Sequence, residues 1–408
     1  MYNNYTPRAR KMQGDKPSFM PEKKIVAITA EYNPLHNGHL KLIERAKDLS
    51  PDLLVVILNG SFLQRGSLAM LDKYTRAKHA LKAGADVVIE LPQIFGAACA
   101  ERFADGAVKL LAGIPAAERI LAFGAEEENA TALENAANIL EEEPLELQVD
   151  LKELMDMGLS YPTALAETFR RYADRKGVTV ADVTKPNNIL AIEYLRAIKR
   201  RGGIIPYAVK RKGAYDAETV DLDAPSASAI RTAIAAGEKE KAYAALPPYV
   251  ASDLEDAGKD DLSPILLYRL TQMTKEELAS IADVKEGIEN RILRLAKESG
   301  DAESLVKSVS TKRYTEARVR RILVNALLGV TEEMLKRTVK AAPYYKVLGV
   351  KADRTDALSL LSRGGVLLTG ENEAAESGIE SAAIDCKAQE IYRVAKGLSD
   401  VTSGMILL

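Results

Sequence analysis

The chain has 408 residues, 47% of them hydrophobic and 28% charged, and carries a net charge of −2. That length and balance suit a soluble protein of two or three domains and exclude a globally basic nucleic-acid binder, so any polyanion must meet a local patch. No apolar run approaches the roughly 20 residues of a membrane span, and two distant cysteines, Cys99 and Cys386, exclude a disulfide scaffold and fit a reducing, cytoplasmic compartment.

Residues 1–23 lack a hydrophobic signal core and read as a flexible extension. Five short apolar runs follow: IVAITA (25–30), LLVVIL (53–58), DVVIEL (86–91), RILAFG (119–124) and IIPYAV (204–209). Each is almost continuously apolar, as parallel strands covered on both faces are. Between the first two, Leu40, Ile43, Ala46 and Leu49 form a helical stripe. A second helix over 73–83 stops at Gly84, a C-cap residue. The alternation predicts a doubly wound α/β domain over 24–238, with its ligand at the strand carboxyl ends.

From about 240 the strand pattern fades and helical stripes take over at 262–272, 275–281, 286–298, 302–309, 315–328 and 331–340. The fifth has Thr315 as N-cap and Gly329 as stop, around the stripe Val319, Ile322, Leu323, Ala326 and Leu327. A mostly helical region over 239–340 is expected. Residues 341–408 read as a small α/β piece packed on those helices, ending in a helix over 384–396.

The first strand runs into EYNPLHNGHL (31–40), which holds two of the three histidines in the chain. A helix beginning near Gly38 places His36 and His39 on one face. Both can then point at the helix start, where unpaired N–H groups and the positive dipole end suit a phosphate. Taken alone, H-x-x-H is better explained by surface polarity. A zinc pair would instead use H-E-x-x-H spacing, which is absent, so no metal site is expected. In this setting of strand, Asn-Pro turn and amphipathic helix, the segment resembles the HxGH signature of the nucleotidyltransferase superfamily, whose histidines contact ATP phosphates.

Other polar groups recur at strand carboxyl ends: Gly60, Gln64, Arg65 and Gly66 in NGSFLQRG (59–66), Glu90, Gly124, Asn187 and Asn188 in KPNNIL (185–190), and Lys210, Arg211 and Lys212. PSASAIRTAI (225–234) adds Ser226 or Ser228 near an N-cap and Arg231 one turn in. Each alone reads as a loop, a cap or a solvated arginine. Their recurrence where the fold rule puts a ligand favours a site.

SASAIR resembles the second superfamily signature. The full order E-Y-N-P-x-H-N-G-H, N-G-x-F-x-Q-R-G, D-x-V-I-E-L-P, F-G-A-E, P-N-N-I-L and K-R-x-G-A-Y resembles the bacterial tRNA(Met) cytidine acetate ligase family, most clearly over about 25–235. The resemblance implies acetyl transfer to the wobble cytidine of elongator tRNA(Met), with ATP as co-substrate, Mg²⁺ as its expected counter-ion, and an acetyl-adenylate intermediate. It places ATP along Thr29, Ala30, Glu31, Tyr32, Asn33, Pro34, Leu35, His36, Asn37, Gly38, His39, Leu40, Lys41 and Leu42. Gly124, Asn187, Arg211, Ser226 and Ser228 are further contacts, and His36, His39 and Arg231 the catalytic groups. Glu31 either serves the second step or orients the loop.

Two basic runs stand out. One is Arg196, Lys199, Arg200, Arg201, Lys210, Arg211 and Lys212; the other is Lys307, Lys312, Arg313, Arg318, Arg320 and Arg321. A charge run is usually a solvated face. Beside the second, Tyr314 offers a stacking surface for an unstacked base. Lys312, Arg313, Tyr314, Arg318 and Arg321 are therefore the expected RNA contacts. The competing readings are a small-molecule adenylyltransferase, acting on nicotinamide mononucleotide or phosphopantetheine, and an RNA-binding protein with a vestigial nucleotide fold. The long helical half and the basic runs favour the ligase over the former; the two histidines and SASAIR argue against the latter.

Overall fold

The computed structural model describes residues 23–211, 219–222, 224–255, 260–399 and 404–408. Of the extension expected over 1–23, residues 1–22 lie outside these residues, as does Lys212. All five expected strands are present, each within one residue of its expected ends: β1 (Lys24–Ala30), β2 (Leu53–Asn59), β3 (Val87–Leu91), β4 (Glu118–Ala125) and β5 (Ile205–Lys210). They are parallel, in the order β5-β4-β1-β2-β3. β1 therefore has β2 on one side and β4 on the other, which makes its carboxyl end the switch point.

β1 leads into α1 (Asn37–Asp48), β2 into α2 (Lys73–Ala83), and β3 into α3 (Gln93–Gly96) and α4 (Ala100–Gly113). Gly84 closes α2 in the left-handed region, φ 119°, as its C-cap role requires. Between β4 and β5 lie α5 (Ala130–Glu142), α6 (Leu145–Asp156), α7 (Tyr161–Lys176) and α8 (Pro186–Arg201). After β5 come α9 (Ala227–Ala235), α10 (Lys239–Ala244) and α11 (Pro248–Glu255). The helical region then holds α12 (Ser263–Gln272), α13 (Lys275–Ser280), α14 (Ile288–Ala296), α15 (Ala302–Val309), α16 (Glu316–Leu328) and α17 (Glu332–Lys340).

Strand residues alternate between two cores. Val26, Ile28, Val56 and Leu58 pack with Ile43 and Ala46 of α1, Ala77 and Leu81 of α2, and Ile230 of α9. Ile25, Ala27, Val55 and Ile57 face the opposite side, with Phe103 of α4, Ala191 of α8, and a run of buried residues continuing into Leu266, Ile292, Ile322 and Leu323. The helical region thus shares a continuous apolar core with the sheet.

The C-terminal segment is α/β and packs on the helical region, where Lys387 Nζ donates to the Leu328 carbonyl of α16 at 2.8 Å, but it also joins the main sheet. β6 (Tyr344–Val350) extends the main sheet, antiparallel to β3, and β7 (Val366–Leu368) and β8 (Ile406–Leu407) both pair with β6. With it come α18 (Asp356–Gly364), α19 (Glu371–Glu376) and α20 (Glu380–Ala395). Buried ion pairs fasten this join. Lys73 Nζ lies 2.8 Å from both Glu90 and Glu371, and Lys346 Nζ lies 3.3 Å from Glu90 and 2.6 Å from Glu371. Glu90, a candidate site residue by position, is thereby enclosed between two fully buried lysines.

Candidate active site

Arg76 fixes the loops that follow β1 and β2. Its buried guanidinium donates to the carbonyls of Leu71 (3.0 Å), Glu31 (2.8 Å), Asn59 (2.9 Å) and Gly60 (2.5 Å). Burying a cation is costly unless its donors are met, and carbonyls meet them here. Sequence reasoning missed this residue, because in KYTRAKHALKA it reads as one more basic group on a helix.

Thr29 and Ala30 end β1, Glu31 to Leu35 form the connecting loop, and His36 caps α1. Asn33 Oδ1 accepts the Met70 amide at 2.7 Å, and the Asn33 carbonyl accepts from Arg231 Nη1 at 2.8 Å. Gly38 N–H donates to His36 Nδ1 at 3.1 Å, and His36 N–H donates to His39 Nδ1 at 3.2 Å. The imidazoles stack with centroids 3.7 Å apart, and Tyr32 meets His39 edge-on at 5.0 Å. A Cβ on Gly38 would stand 3.0 Å from the His36 ring and 3.4 Å from the Pro225 carbonyl. Glycine therefore lets the start of α9 sit against the start of α1.

These bonds decide the tautomers. Each Nδ1 accepts a backbone N–H, so in the neutral ring the proton sits on Nε2. Burial, with Arg211 and Arg231 nearby, pushes His36 down to about 3. Burial, His36 and Arg211 hold His39 well below the usual histidine range. Both rings are neutral Nε2–H donors at pH 7, and the His36 Nε2 is buried without a partner among the described residues. The amides expected to bind phosphate at this helix start are engaged elsewhere: Gly38 N–H by His36, and Asn37 N–H by the Ala245 carbonyl at 3.0 Å. The imidazole Nε2–H groups are the remaining neutral donors at this helix start, and Arg231 is held beside it through the Asn33 carbonyl. Of the α1 residues in the expected list, Leu40 and Leu42 pack partly against the core, and the Lys41 side chain is exposed.

Of the two serines, Ser226 is the N-cap of α9, accepting the Ala229 amide at 3.1 Å; Ser228 sits half-buried in the first turn. At the β4 end, Arg211 lies across Gly124, where a Cβ would meet its Cγ and Cδ at 2.9 Å. Arg211 Nη1 donates to Asn187 Oδ1 at 3.2 Å, and Asn187 Nδ2 donates to Glu126 at 2.6 Å. Asn188 is buried instead, its Oδ1 accepting the amides of Glu126 and Glu127 at 2.9 Å. Asn187 thus joins Arg211 beside Gly124, while Asn188 braces the turn after β4.

Glu31 holds the neighbouring loop. Its Oε1 accepts the Gln64 amide at 2.7 Å and Asn59 Nδ2 at 3.2 Å. Of its two expected roles, this geometry is that of a loop-orienting group.

The basic runs are largely internally paired. Arg196 bonds Glu141 and Glu193, Arg200 bonds Glu141 and Asp105, Lys199 lies 3.6 Å from Glu142, and Lys210 pairs with Glu128. In the second run Arg318 and Arg321 both face Asp283, and Arg320 faces Glu303 and Glu316. Tyr314 corrects the stacking expectation. It is 7% exposed, its hydroxyl donates to the Lys285 carbonyl at 2.5 Å, and Arg318 covers its ring at 4.3 Å. Lys312 and Arg313 are exposed, the latter reaching Glu286 at 2.6 Å.

A family model described as HIGH Nucleotidyl Transferase matches residues 23–403. The tRNA(Met) cytidine acetate ligase of Acetivibrio thermocellus is 38% identical over 358 residues, spanning 83% of this chain and 86% of that protein. Its namesake in Lysinibacillus sphaericus is 32% identical over 91% of this chain and 94% of that protein. Among solved structures, apo Thermotoga maritima TmcAL superposes with TM-score 0.83 at 28% identity, covering 94% of this chain and 99% of that one. TmcAL bound with alpha-thio ATP does so with TM-score 0.80 at 26% identity, over the same shares.

Proposed function

The chain belongs to the tRNA(Met) cytidine acetate ligase family, and on that premise we propose that it acetylates the wobble cytidine of elongator tRNA(Met) to N4-acetylcytidine, using acetate and ATP. The observation that carries the reading is the stacked, neutral histidine pair with Arg231 and Arg211 beside it. Charge developing on a reacting phosphate is stabilised by preorganised donors. The Nε2–H of His36, buried and without a partner among the described residues, is such a donor, and a triphosphate offers it an acceptor. Mg²⁺ is expected to arrive on the triphosphate oxygens.

Acetate is already ionised at pH 7, so its attack needs no general base. Its oxygen forms a bond to the α-phosphorus as the bond to pyrophosphate breaks. The N4 amine of cytidine then attacks the acetyl carbonyl, the carbonyl-to-phosphate oxygen bond breaks, AMP leaves, and the nitrogen gives up one proton to solvent. His36 and His39 donate to the phosphate oxygens throughout, and Arg231 ties the same loop to α9 through the Asn33 carbonyl. Gly124, Asn187 and Arg211 take the nucleoside end. Lys312 and Arg313 are the exposed cations for the RNA backbone.

The test is mass analysis of tRNA(Met) after incubation with ATP and acetate. One acetyl increment on the wobble cytidine supports the reading. Transfer of AMP to a small phosphorylated acceptor, independent of acetate, would replace it with an adenylyltransferase.

A further inference from the structure

The loop between β2 and α2 is built as a stiff hairpin. Leu63 N–H bonds the Ser67 carbonyl and Gly66 N–H the Leu63 carbonyl, both at 2.8 Å; Ala69 N–H bonds the Ser61 carbonyl at 3.0 Å, and Phe62 bridges to Leu68. Its base is fastened from the sheet side. The Gln93 side chain bonds Phe62 N–H and carbonyl, each at 2.9 Å, and Ser61 Oγ donates to Gln389 of α20 at 2.8 Å. Its inner edge is bonded to the catalytic loop through Gln64 N–H and Glu31, five residues before His36. Its tip rests on α16. Gly66 has φ +80°, and a Cβ there would stand 2.7 Å from the Arg320 carbonyl carbon and 2.8 Å from the Arg321 nitrogen. Backbone meets backbone at this point, and α16 directly follows Lys312 and Arg313.

We propose that this hairpin couples RNA held on the helical region to the acetyl-adenylate site, and that Gly66 is its positioning residue. The inference rests on the acetate-ligase reading. The first half-reaction needs only ATP and acetate against the β1–α1 loop. The second needs the cytidine amine within reacting distance of the acetyl carbonyl, and so needs the RNA face and that loop in register. A hairpin bonded to Glu31 at one end and seated on α16 at the other sets the spacing between the RNA face and the loop, so a displaced tip moves α16 and its RNA while the anchored loop stays in place.

Gly66→Ala and Gly66→Asn test this, with Gly177→Ala as control. Gly177 also has positive φ, +63°, but nothing within 4 Å of its would-be Cβ, so it reports backbone strain alone. Asparagine tolerates the left-handed region better than alanine but brings the same Cβ against α16. In both Gly66 variants, acetate-dependent pyrophosphate release stays near wild type, while kcat for tRNA acetylation falls roughly 10²-fold, the order that a misplacement of about 1 Å costs. Gly177→Ala changes neither. The coupling is overturned if Gly66→Asn restores tRNA acetylation, since strain then explains the alanine variant, or if both half-reactions fall together, since the hairpin is then only structural. Pyrophosphate release by the wild-type chain is read first. Its absence removes the acetate-ligase reading itself, a result distinct from either Gly66 outcome.

Discussion

Replacing His36 with asparagine and with alanine separates the two jobs of its ring. Nδ1 caps α1 by accepting Gly38 N–H at 3.1 Å, and Nε2 is the buried donor with no partner among the described residues. Asparagine is an N-cap residue as good as any and alanine is not; losing a cap costs about 1 kcal/mol. Neither replacement reaches the position of Nε2, and removal of one preorganised donor slows reaction by about 10²–10³, or ~2.7–4 kcal/mol in the barrier. Both variants also lose the stacking with His39 at 3.7 Å, so that term cancels between them. The expectation is a matched fall in acetate-dependent pyrophosphate release of about 10²–10³, with His36→Ala unfolding in urea about 1 kcal/mol more easily than His36→Asn. An asparagine variant that adenylates acetate at close to the wild-type rate would refute the donor role. Equal stabilities for the two variants would refute the cap.

The same histidines set an acid limit on stability. Folding lowers the His36 value from 6.5 to about 3, so the unfolded chain binds the proton more readily across that window. Stability present above pH 6.5 should decline as pH falls toward 3, by about 1.4 kcal/mol per unit for this group. Urea melts between pH 7 and 5 should show a shallower slope for His36→Asn, and an unchanged slope counts against a buried neutral ring. Glu90→Gln should destabilise by about 3–5 kcal/mol, because Lys73 and Lys346 stay buried with one carboxylate fewer; a change under about 1 kcal/mol in denaturant melts would show the pair to be dispensable. Lys312→Glu with Arg313→Glu should weaken tRNA binding and reduce its salt slope, whereas Arg321→Ala, which removes a partner of Asp283, should act mainly on stability. A salt titration of tRNA affinity beside a thermal melt distinguishes the two.

The strands were legible because burial on both faces writes an unbroken apolar run, and β2 is buried at all seven positions. The caps Thr315, Gly329 and Gly84 were legible because they act on their own helices. What depended on distant partners was not. YYKVLGV reads as a strand, but nothing local says that Val347 sits opposite Ile89 across an antiparallel pair. Glu90 ends a strand where a ligand group belongs, and only its distant partner Lys346 reveals a structural ion pair. Tyr314 lies among basic residues in sequence, but the fold turns its ring inward under Arg318. Helix α6 escaped notice because its apolar residues do not keep to one face, with Leu147 and Leu154 buried but Leu145 and Val149 solvent-facing.

The seam between β3 and β6 also bears on how the chain is made. A ribosome releases β3 some 250 residues before β6, and until β6 arrives the growing chain carries an open strand edge that invites association. Glu90 meanwhile has Lys73 to pair with but must wait for Lys346. The nucleotide-binding half therefore matures only after its last strand has been translated, and such long-range pairing makes folding slow. Truncation after the helical region, which keeps Lys312 and Arg313, should yield a chain that collects chaperones rather than one that still folds and binds ATP.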